Sequence, residues 1–291
     1  MRIIVPIKQV PETNAVKMDE ATGTMIREGV EAIINPLDLY AIEIAIQLRE
    51  AAPPGSTEVV AVSMGPPKAA TALKEAIAMG IDSAVLVSDR AFAGSDTWAT
   101  SYVLAAAIRK LGGTGFPACA ETEPTKATAQ PGKAVPPDLI ICGERATDGD
   151  TGQVGPGIAS FLDLPVVSYV GKIESLAGGK ARVHRLVEDG HEVLEVDLPA
   201  VLTVIKEIAS PRLPTLGGKL KAKKTQVPVW GPKDLDVETG KLGLEGSPTR
   251  VVKIFRPKVA RECRKVMALD ERSAAKAVEE LVKFLKHKQL V

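Results

Sequence analysis

The chain has 291 residues and a formal net charge of +1, with 45% hydrophobic, 25% charged and only 3% aromatic residues. This balance gives no bulk electrostatic attraction to nucleic acid or to an anionic membrane, and so few aromatic residues do not favour a stacking platform for single-stranded nucleic acid. The N-terminal apolar run is too short for a signal peptide or a membrane-spanning helix, so we expect a cytoplasmic protein without membrane insertion.

The metal-ligating residue types show no pattern. Cys119, Cys142 and Cys263 are odd in number and far apart, so they form neither a zinc motif nor a disulfide framework. The histidines at positions 184, 191 and 287 have no spacing typical of a metal site. We therefore predict no metal site, and we interpret Cys142, which lies in an apolar run, as a small core residue.

The first 170 residues or so alternate between short apolar runs and helical patterns. The predicted strands are residues 2–7, 58–63, 83–87 and 138–142, and the predicted helices are residues 35–49, 68–79 and 96–111 with one more after a glycine-bearing loop. Such alternation indicates an α/β, Rossmann-like parallel sheet with helices on both faces and right-handed crossovers. Ligands of these sheets lie outside the carboxyl ends of the strands, near the point where the strand order reverses.

The later segments break this alternation. Residues 113–137 are rich in Gly, Pro, Ala and Thr without any period, which is typical of an exposed loop insertion. Residues 183–187 and 192–197 alternate around Glu188-Asp189-Gly190, which predicts a small β-hairpin region.

An extended arm is predicted after Lys206, because the chain there is irregular and rich in proline. It ends in an amphipathic helix over residues 270–286, with apolar residues at 274, 278, 281, 282 and 285. We therefore expect an α/β domain of residues 1–205 and an arm of residues 206–291. The arm is hard to pack on its own domain, so we expect it to lie on a partner subunit; the alternative is an ordinary helix packed on its own core.

Residues 137–156 form the strongest candidate site. A buried strand is followed by Gly143, by small and polar residues, and then by the apolar pattern of a helix. A strand-to-helix junction of this kind presents free backbone N–H groups and suits a phosphate. The spacing matches neither a P-loop nor a GxGxxG fingerprint, so an ordinary connection is the alternative.

The start of the helix after this loop can be placed in two ways. Asp150 can cap the helix, with Gln153 as the returning half of a capping box, or the helix can begin at Pro156. Three glycines of the loop, Gly149, Gly152 and Gly155, would allow the backbone to approach a ligand closely.

The run from Gly143 to Pro156 resembles the nucleotide-binding segment of the electron-transfer flavoprotein beta (small) subunit. Other stretches agree in order. Residues 3–11 resemble the first strand and turn of that family, residues 35–38 its Asn-Pro helix start, residues 183–203 its signature, and residues 210–224 its partner-recognition loop. The resemblance covers nearly the whole chain.

The resemblance implies a heterodimer with an alpha (large) subunit and an adenine-nucleotide site in this chain. Ordinary members hold AMP in that site, with FAD at the subunit interface, whereas electron-bifurcating members hold a second FAD that accepts a hydride from NADH. The glycines of residues 148–156 look closer to the bifurcating form, since FAD needs a longer groove than AMP. We therefore expect FAD here and NADH as the electron donor.

The expected partners are the alpha subunit, a flavin-containing dehydrogenase, and a low-potential acceptor such as ferredoxin or flavodoxin. One alternative is an ordinary beta subunit that binds AMP and passes electrons from acyl-CoA-type dehydrogenases. Another is a non-redox regulatory module that binds a nucleotide. No residue has the pattern of a nucleophile or of a general acid or base, so any redox chemistry would belong to the cofactor.

The resemblance assigns cofactor contacts by position, with Met64 as a backbone contact to adenine. The expected contact residues are Pro6, Lys8, Asn35, Pro36, Leu37, Asp38, Met64, Arg145, Ala146, Thr147, Asp148, Gly149, Asp150, Thr151, Gly152, Gln153, Val154, Gly155 and Pro156. The alternative for Asn35 is a helix cap before Pro36, and for Lys8 a solvated strand end. Asp148 and Asp150 would repel a phosphate, so we assign them to caps and loop hydrogen bonds.

The resemblance also assigns a partner-recognition role. Leu216 matches the leucine that anchors family members to their dehydrogenase, although the Gly217-Gly218 that follows departs from the family pattern. Nearby lysines form a candidate docking patch for an acidic partner surface, with a solvated face as the alternative; they are Lys219, Lys221, Lys223 and Lys224.

Overall fold

The computed structural model describes residues 1–12, 32–113, 138–252 and 265–291. It divides into two compact units, Met1–Val252 and Lys253–Val291. Apart from Gly113, the predicted loop insertion of residues 113–137 lies outside the described residues.

A twisted β-sheet forms the centre of the first unit. The strands, in chain order, are β1 (Arg2–Pro6), β2 (Gln9–Pro11), β3 (Ala32–Ile34), β4 (Glu58–Met64), β5 (Ser83–Val87), β6 (Leu139–Gly143), β7 (Val166–Ala177), β8 (Lys180–Val187), β9 (Gly190–Asp197), β10 (Ala200–Val204) and β11 (Val229–Trp230). Within the described ranges, nine of them pair in the order β11-β5-β4-β1-β6-β10-β7-β8-β9, and β2 pairs antiparallel with β3. The large sheet is parallel from β11 to β7 and antiparallel from β7 to β9.

Helices cover both faces of the parallel part. The α-helices of the described chain are α1 (Asp38–Ala51), α2 (Ala70–Met79), α3 (Thr97–Gly113), α4 (Val154–Leu162), α5 (Leu216–Lys224) and α6 (Glu271–His287). Side chains of β1 alternate between two apolar clusters: Ile3 and Val5 face α1 and α2, whereas Ile4 faces α3 and α4. Strands buried on both faces read as continuous apolar runs, which is why the sequence pattern identified them. The predicted α/β class is confirmed.

The predicted hairpin is present. Residues 183–187 and 192–197 lie in β8 and β9, which pair with each other and extend the main sheet through β7. The unpredicted strand β10 lies between β6 and β7, with Ala200 opposite Leu139. Likewise β11 adds an edge strand to the main sheet beside β5, so residues beyond 205 contribute to the first unit.

The strand order reverses between β1 and β6. From β1 the chain proceeds through α1, β4, α2 and β5 on one side, and α3 then returns it to β6 on the other side of β1. The carboxyl ends of β1 and β6 therefore lie side by side where a crevice is expected in sheets of this kind. The two strands that the sequence assigned to a ligand site are neighbours.

The second unit contains α6. The side chain of Asp270 accepts a hydrogen bond from the Ser273 N–H at 2.7 Å and caps α6, which confirms the predicted helix. Its apolar stripe is exposed, with Val278 60% and Leu281 55% accessible. No described helix is both long enough and apolar enough to span a membrane. That the stripe packs on a partner stays a prediction.

Candidate functional site

The crevice at the ends of β1 and β6 collects three of the predicted segments. They are residues 6–8 after β1, residues 35–38 before α1, and the loop of residues 144–153 between β6 and α4, which we call the glycine loop. The neighbouring strand β10 supports this loop, since the Glu144 N–H donates to the Val204 carbonyl at 3.1 Å. Met64 ends β4 at the same edge of the sheet, beside β1.

Asn35 ties two of these segments together. Its buried side chain donates to the Arg145 carbonyl at 2.9 Å and to Asp38 Oδ1 at 2.9 Å, and its Oδ1 accepts from the Thr147 N–H at 3.1 Å. The cap interpretation of Asn35 is wrong, because α1 begins at Asp38 and its N-cap residue is Leu37. The side chain instead crosses to the glycine loop.

Charged side chains of the glycine loop are paired rather than capping. Lys8 Nζ lies 2.6 Å from Asp148 Oδ1, and Arg145 Nε lies 3.0 Å from Asp150 Oδ1. The predicted capping box is wrong: Asp150 has a left-handed φ of 55°, and the N-cap of α4 is Gln153, which makes no side-chain cap. A carboxylate held in that turn by Arg145 lies before the helix and cannot cap it.

The glycines of this region serve different purposes. Gly152 adopts φ 63°, which favours glycine. A Cβ on Gly155 would lie 2.7 Å from Thr203 Cγ2, so this glycine lets α4 pack closely on β10. A Cβ on Gly149 would meet nothing within 4 Å, so Gly149 borders open space. Gly149 therefore borders open space, whereas a Cβ on Gly152 would contact the Glu144 carbonyl at 3.4 Å and a Cβ on Gly155 would meet the core.

Free backbone donors line the start of α4. In the described part of the chain, the N–H groups of Thr151, Gly152, Gln153 and Val154 donate no hydrogen bond. Unpaired N–H groups at a helix N-terminus attract anions, and the helix dipole adds to the effect. Because Lys8 and Arg145 are already paired with aspartates, what this loop offers to an anion is its backbone N–H groups rather than an unpaired cation.

A cleft of about 400 Å³ between α3 and α4 adjoins the glycine loop. Gln153 and Pro156 line the end nearest the loop, and Trp98 and Phe161 line its wall. The indole of Trp98 is 38% exposed and lies edge-on to Phe161 at 5.2 Å between ring centroids. Sequence reasoning missed this cleft; the available signal was a tryptophan at the first turn of the helix that follows β5.

The predicted docking residues divide into two groups. Leu216 is 77% exposed at the start of α5, and Lys223 and Lys224 are exposed at its end. Lys221 instead donates to the carbonyl groups of Ile81 and Asp82 at 3.3 and 3.2 Å, which fastens α5 to the loop after α2. The ammonium of Lys221 is thus engaged within the chain.

Buried ionisable groups at the crevice are Asp38 and Cys142. Burial raises the pKa of Asp38 to about 7, although hydrogen bonds from Asn35 and from the Lys8 N–H act in the opposite direction. Burial also raises the pKa of the Cys142 thiol, so this thiol stays protonated and unreactive. The prediction that Cys142 is a core residue is confirmed by its 5% exposure.

Comparison with known proteins gives one consistent result. The model of the electron transfer flavoprotein domain matches residues 22–235. The caffeyl-CoA reductase-Etf complex subunit CarD of Acetobacterium woodii is 46% identical over 257 residues, which are 88% of each chain. The electron transfer flavoprotein subunit beta of Thermoanaerobacterium thermosaccharolyticum is 45% identical over 262 residues, 90% of each chain. Protein FixA of Azorhizobium caulinodans is 40% identical over 281 residues, 96% of this chain and 92% of that protein.

Proposed function

The chain belongs to the electron transfer flavoprotein family, among its beta subunits, and on that premise we propose that it binds FAD in the crevice between β1 and β6. We further propose that it works with an alpha subunit in NADH-dependent electron bifurcation. The observation that carries the FAD assignment is the cleft between α3 and α4, which adjoins the glycine loop and gives a dinucleotide room that a mononucleotide would not need.

The adenosine and pyrophosphate half fits the crevice. The carboxyl ends of β1, β4 and β6 offer the backbone surface on which an adenosine lies in parallel sheets. The N–H groups of Thr151 to Val154 are free to donate to a pyrophosphate, and the open space beside Gly149 leaves a path for it. No cationic side chain has to be released from its partner for this binding.

The second half of the dinucleotide fits the cleft. Its wall presents the half-exposed indole of Trp98, and Gln153 joins it to the glycine loop. Aromatic side chains favour planar rings by stacking or edge contacts. When bound, FAD would accept the hydride from NADH and pass its electrons on, and the residues of this chain would orient FAD and exclude water.

Two features support the assignment to NADH-dependent bifurcation. The dinucleotide-sized site is one. The other is a relative, 46% identical, whose name places it in a complex with caffeyl-CoA reductase. The proposed partners are therefore a flavin-containing dehydrogenase of the CoA-ester class and a low-potential acceptor such as ferredoxin or flavodoxin. Exposed leucines of the α5 region, Leu213 at 85% and Leu216 at 77%, offer the apolar contact for the dehydrogenase.

Replacing Trp98 with alanine tests the cleft. If the flavin half lies there, we expect the affinity for FAD to fall about tenfold, which is the size of one lost aromatic contact. The affinity for ADP should stay within about twofold, because ADP would occupy only the crevice. Equilibrium titrations of both ligands measure the two effects. Equal losses for FAD and ADP would show that Trp98 acts only through the packing of α4, and no loss for FAD would remove the cleft from the site.

The exposed stripe of α6 is the proposed contact for the alpha subunit. We expect Leu281→Asp to weaken assembly at least tenfold, because it would place a carboxylate in an apolar interface. Lys276→Ala on the opposite face of α6 is the matched control. Co-purification and size-exclusion chromatography with the alpha subunit provide the measurement. Unchanged assembly of the Leu281 variant would place the interface elsewhere.

A further inference from the structure

The amide of Asn35 is fully buried and has each of its groups engaged. Its two N–H groups donate to Asp38 Oδ1 and to the Arg145 carbonyl, and its oxygen accepts from the Thr147 N–H. An inverted amide would oppose its NH2 group to the Thr147 donor and its oxygen to the Arg145 acceptor. Only one of the two orientations of this amide can therefore make the hydrogen bonds to the glycine loop.

The carboxylate of Asp38 fixes that orientation. Oδ1 accepts from Asn35 at 2.9 Å, and Oδ2 accepts from the Lys8 N–H at 2.7 Å. The carboxylate is also packed against Gly143, because a Cβ at that position would overlap Asp38 Oδ1. Asp38 thus joins the end of β1, the turn before α1 and the end of β6, and it acts on the glycine loop through Asn35.

We propose that Asp38 and Asn35 form a positioning pair that holds the glycine loop ready for a pyrophosphate only while Asp38 is ionised. Nucleotide binding is then coupled to the release of one proton from Asp38. The inference deepens the proposed function, on which it rests, and gives these two residues a task other than direct contact with the nucleotide.

The geometry requires the ionised form. Each oxygen of Asp38 faces a donor, so a proton on Oδ1 would oppose Asn35 Nδ2 and a proton on Oδ2 would oppose the Lys8 N–H. Either proton removes one hydrogen bond, and an unpaired buried donor costs free energy. Loss of the bond to Asn35 frees its amide to turn, and the anchors of Arg145 and Thr147 are lost with it.

The surroundings set the pH at which this happens. The ionisable groups that face Asp38 are the ammonium of Lys8 at the end of β1, the carboxylate of Asp148 on the loop and the thiol of Cys142 on β6. Burial raises the pKa of Asp38 from 3.8 to about 7. Ionisation therefore opposes folding as pH rises from about 4 to 7, whereas the order of the loop and the nucleotide affinity increase over the upper part of that range.

The test measures ADP binding to the full-length chain by calorimetry in buffers of different ionisation enthalpy. At pH 6 we expect close to one proton released per ADP bound, and at pH 8.5 almost none, with affinity rising about fivefold between pH 6 and pH 7 and about tenfold between pH 6 and pH 8.5. At pH 8.5, where wild-type Asp38 is ionised, Asp38→Asn should bind ADP at least tenfold more weakly, and at either pH it should release no proton beyond that from the terminal phosphate of ADP itself. Asp82→Asn is the matched control, since Asp82 also accepts a backbone N–H and pairs with an arginine, but at the opposite edge of the sheet.

Amide hydrogen exchange of the nucleotide-free chain gives a second readout. In Asp38→Asn the Thr147 amide should exchange at least tenfold faster, while the Gly157 amide, which donates to the Gln153 carbonyl in α4, should keep its protection. Loss of protection at both amides would mean that the variant has unfolded. In that case the pH dependence of Thr147 exchange in the wild-type chain tests whether the glycine loop is held only while Asp38 is ionised. The proposal would be overturned if the exchange rate of the Thr147 amide, relative to that of the Gly157 amide, did not change with the ionisation of Asp38.

Other outcomes separate the inference from the proposed function. ADP binding with no proton release, or with the release retained in Asp38→Asn, would overturn the positioning pair and leave the nucleotide site intact. If Asp148→Asn, rather than Asp38→Asn, abolishes the release, the proton belongs to the Lys8–Asp148 pair and the inference is wrong. A chain that binds neither ADP nor FAD at any pH would overturn the proposed function and the coupling together.

Discussion

Replacing Gly155 with valine is expected to destabilise the chain by about 2 kcal/mol or more, the usual cost of overpacking a core, and to abolish nucleotide binding. The physical reason is the contact between α4 and β10. A Cβ on Gly155 would lie 2.7 Å from Thr203 Cγ2 and 3.5 Å from Cys142 Cβ, and both neighbours are buried in the core. The N-terminus of α4 must then move away from the sheet, and the free N–H groups of the glycine loop move with it.

Gly149→Val is the matched control for this prediction. A Cβ at this position would meet nothing within 4 Å, so the free energy of unfolding should change by less than about 0.5 kcal/mol. Chemical denaturation measures stability, and bound nucleotide is quantified after denaturation. Equal stability of the two variants would contradict the described packing of α4 on β10.

Replacing Arg212 with methionine is expected to cost about 3–5 kcal/mol, because it leaves the carboxylate of Glu43 buried without its partner. The guanidinium donates to Glu43 at 2.9 and 3.0 Å and to Glu50 at 2.6 and 2.9 Å, and the Glu43 side chain is 4% exposed. Since Arg212 lies just before the exposed Leu216, the same change should also loosen the docking segment from α1.

The pH dependence of this effect follows from Glu43. Burial acts to raise its pKa, but hydrogen bonds from Arg212 and Gln47 outweigh burial and hold that pKa below its ordinary value of 4.5. The stabilisation by the ion pair is therefore complete above pH 4.5 and is lost as pH falls through the lower folded-state value. Wild type and Arg212→Met should thus differ most near neutral pH and converge in acid.

A double variant separates the buried charge from the lost packing. Glu43→Gln combined with Arg212→Met removes both charges and should recover much of the stability that the single change loses. Glu50→Gln alone should cost less than about 1 kcal/mol, since the Glu50 side chain is half-exposed. Denaturant titrations at neutral pH and near pH 4 provide the comparison. A single variant as stable as wild type would contradict a clamp between Arg212 and α1.

The parallel sheet could be predicted from the sequence because the strands of this sheet are short, continuous apolar runs between helical patterns. It identified the glycine loop and the end of β1 as one site because the carboxyl ends of parallel strands share an edge. It could not show that Asn35 reaches Thr147, 112 residues away; the sequence offered a cofactor contact for Asn35, with a helix cap as the alternative. The tertiary hydrogen bonds decide the role of that side chain.

Other features escaped prediction for equally local reasons. Strand β10 is five residues long and follows a hairpin, so its apolar run carried no sign that it would lie between β6 and β7. Because β10 was not predicted, the packing of Gly155 against Thr203 could not be predicted either, and the glycine was interpreted only as a ligand contact. Trp98 read as one residue of a helical pattern, because a cleft between two helices has no signature in either helix alone.

The nucleotide content of the complex tests the central proposal most directly. The chain is co-expressed with its alpha subunit, the complex is purified, and FAD and AMP are quantified per heterodimer after denaturation. We expect two FAD and no AMP, with one FAD in the crevice and cleft of this chain. One FAD and one AMP would contradict it and leave an ordinary electron-transferring beta subunit.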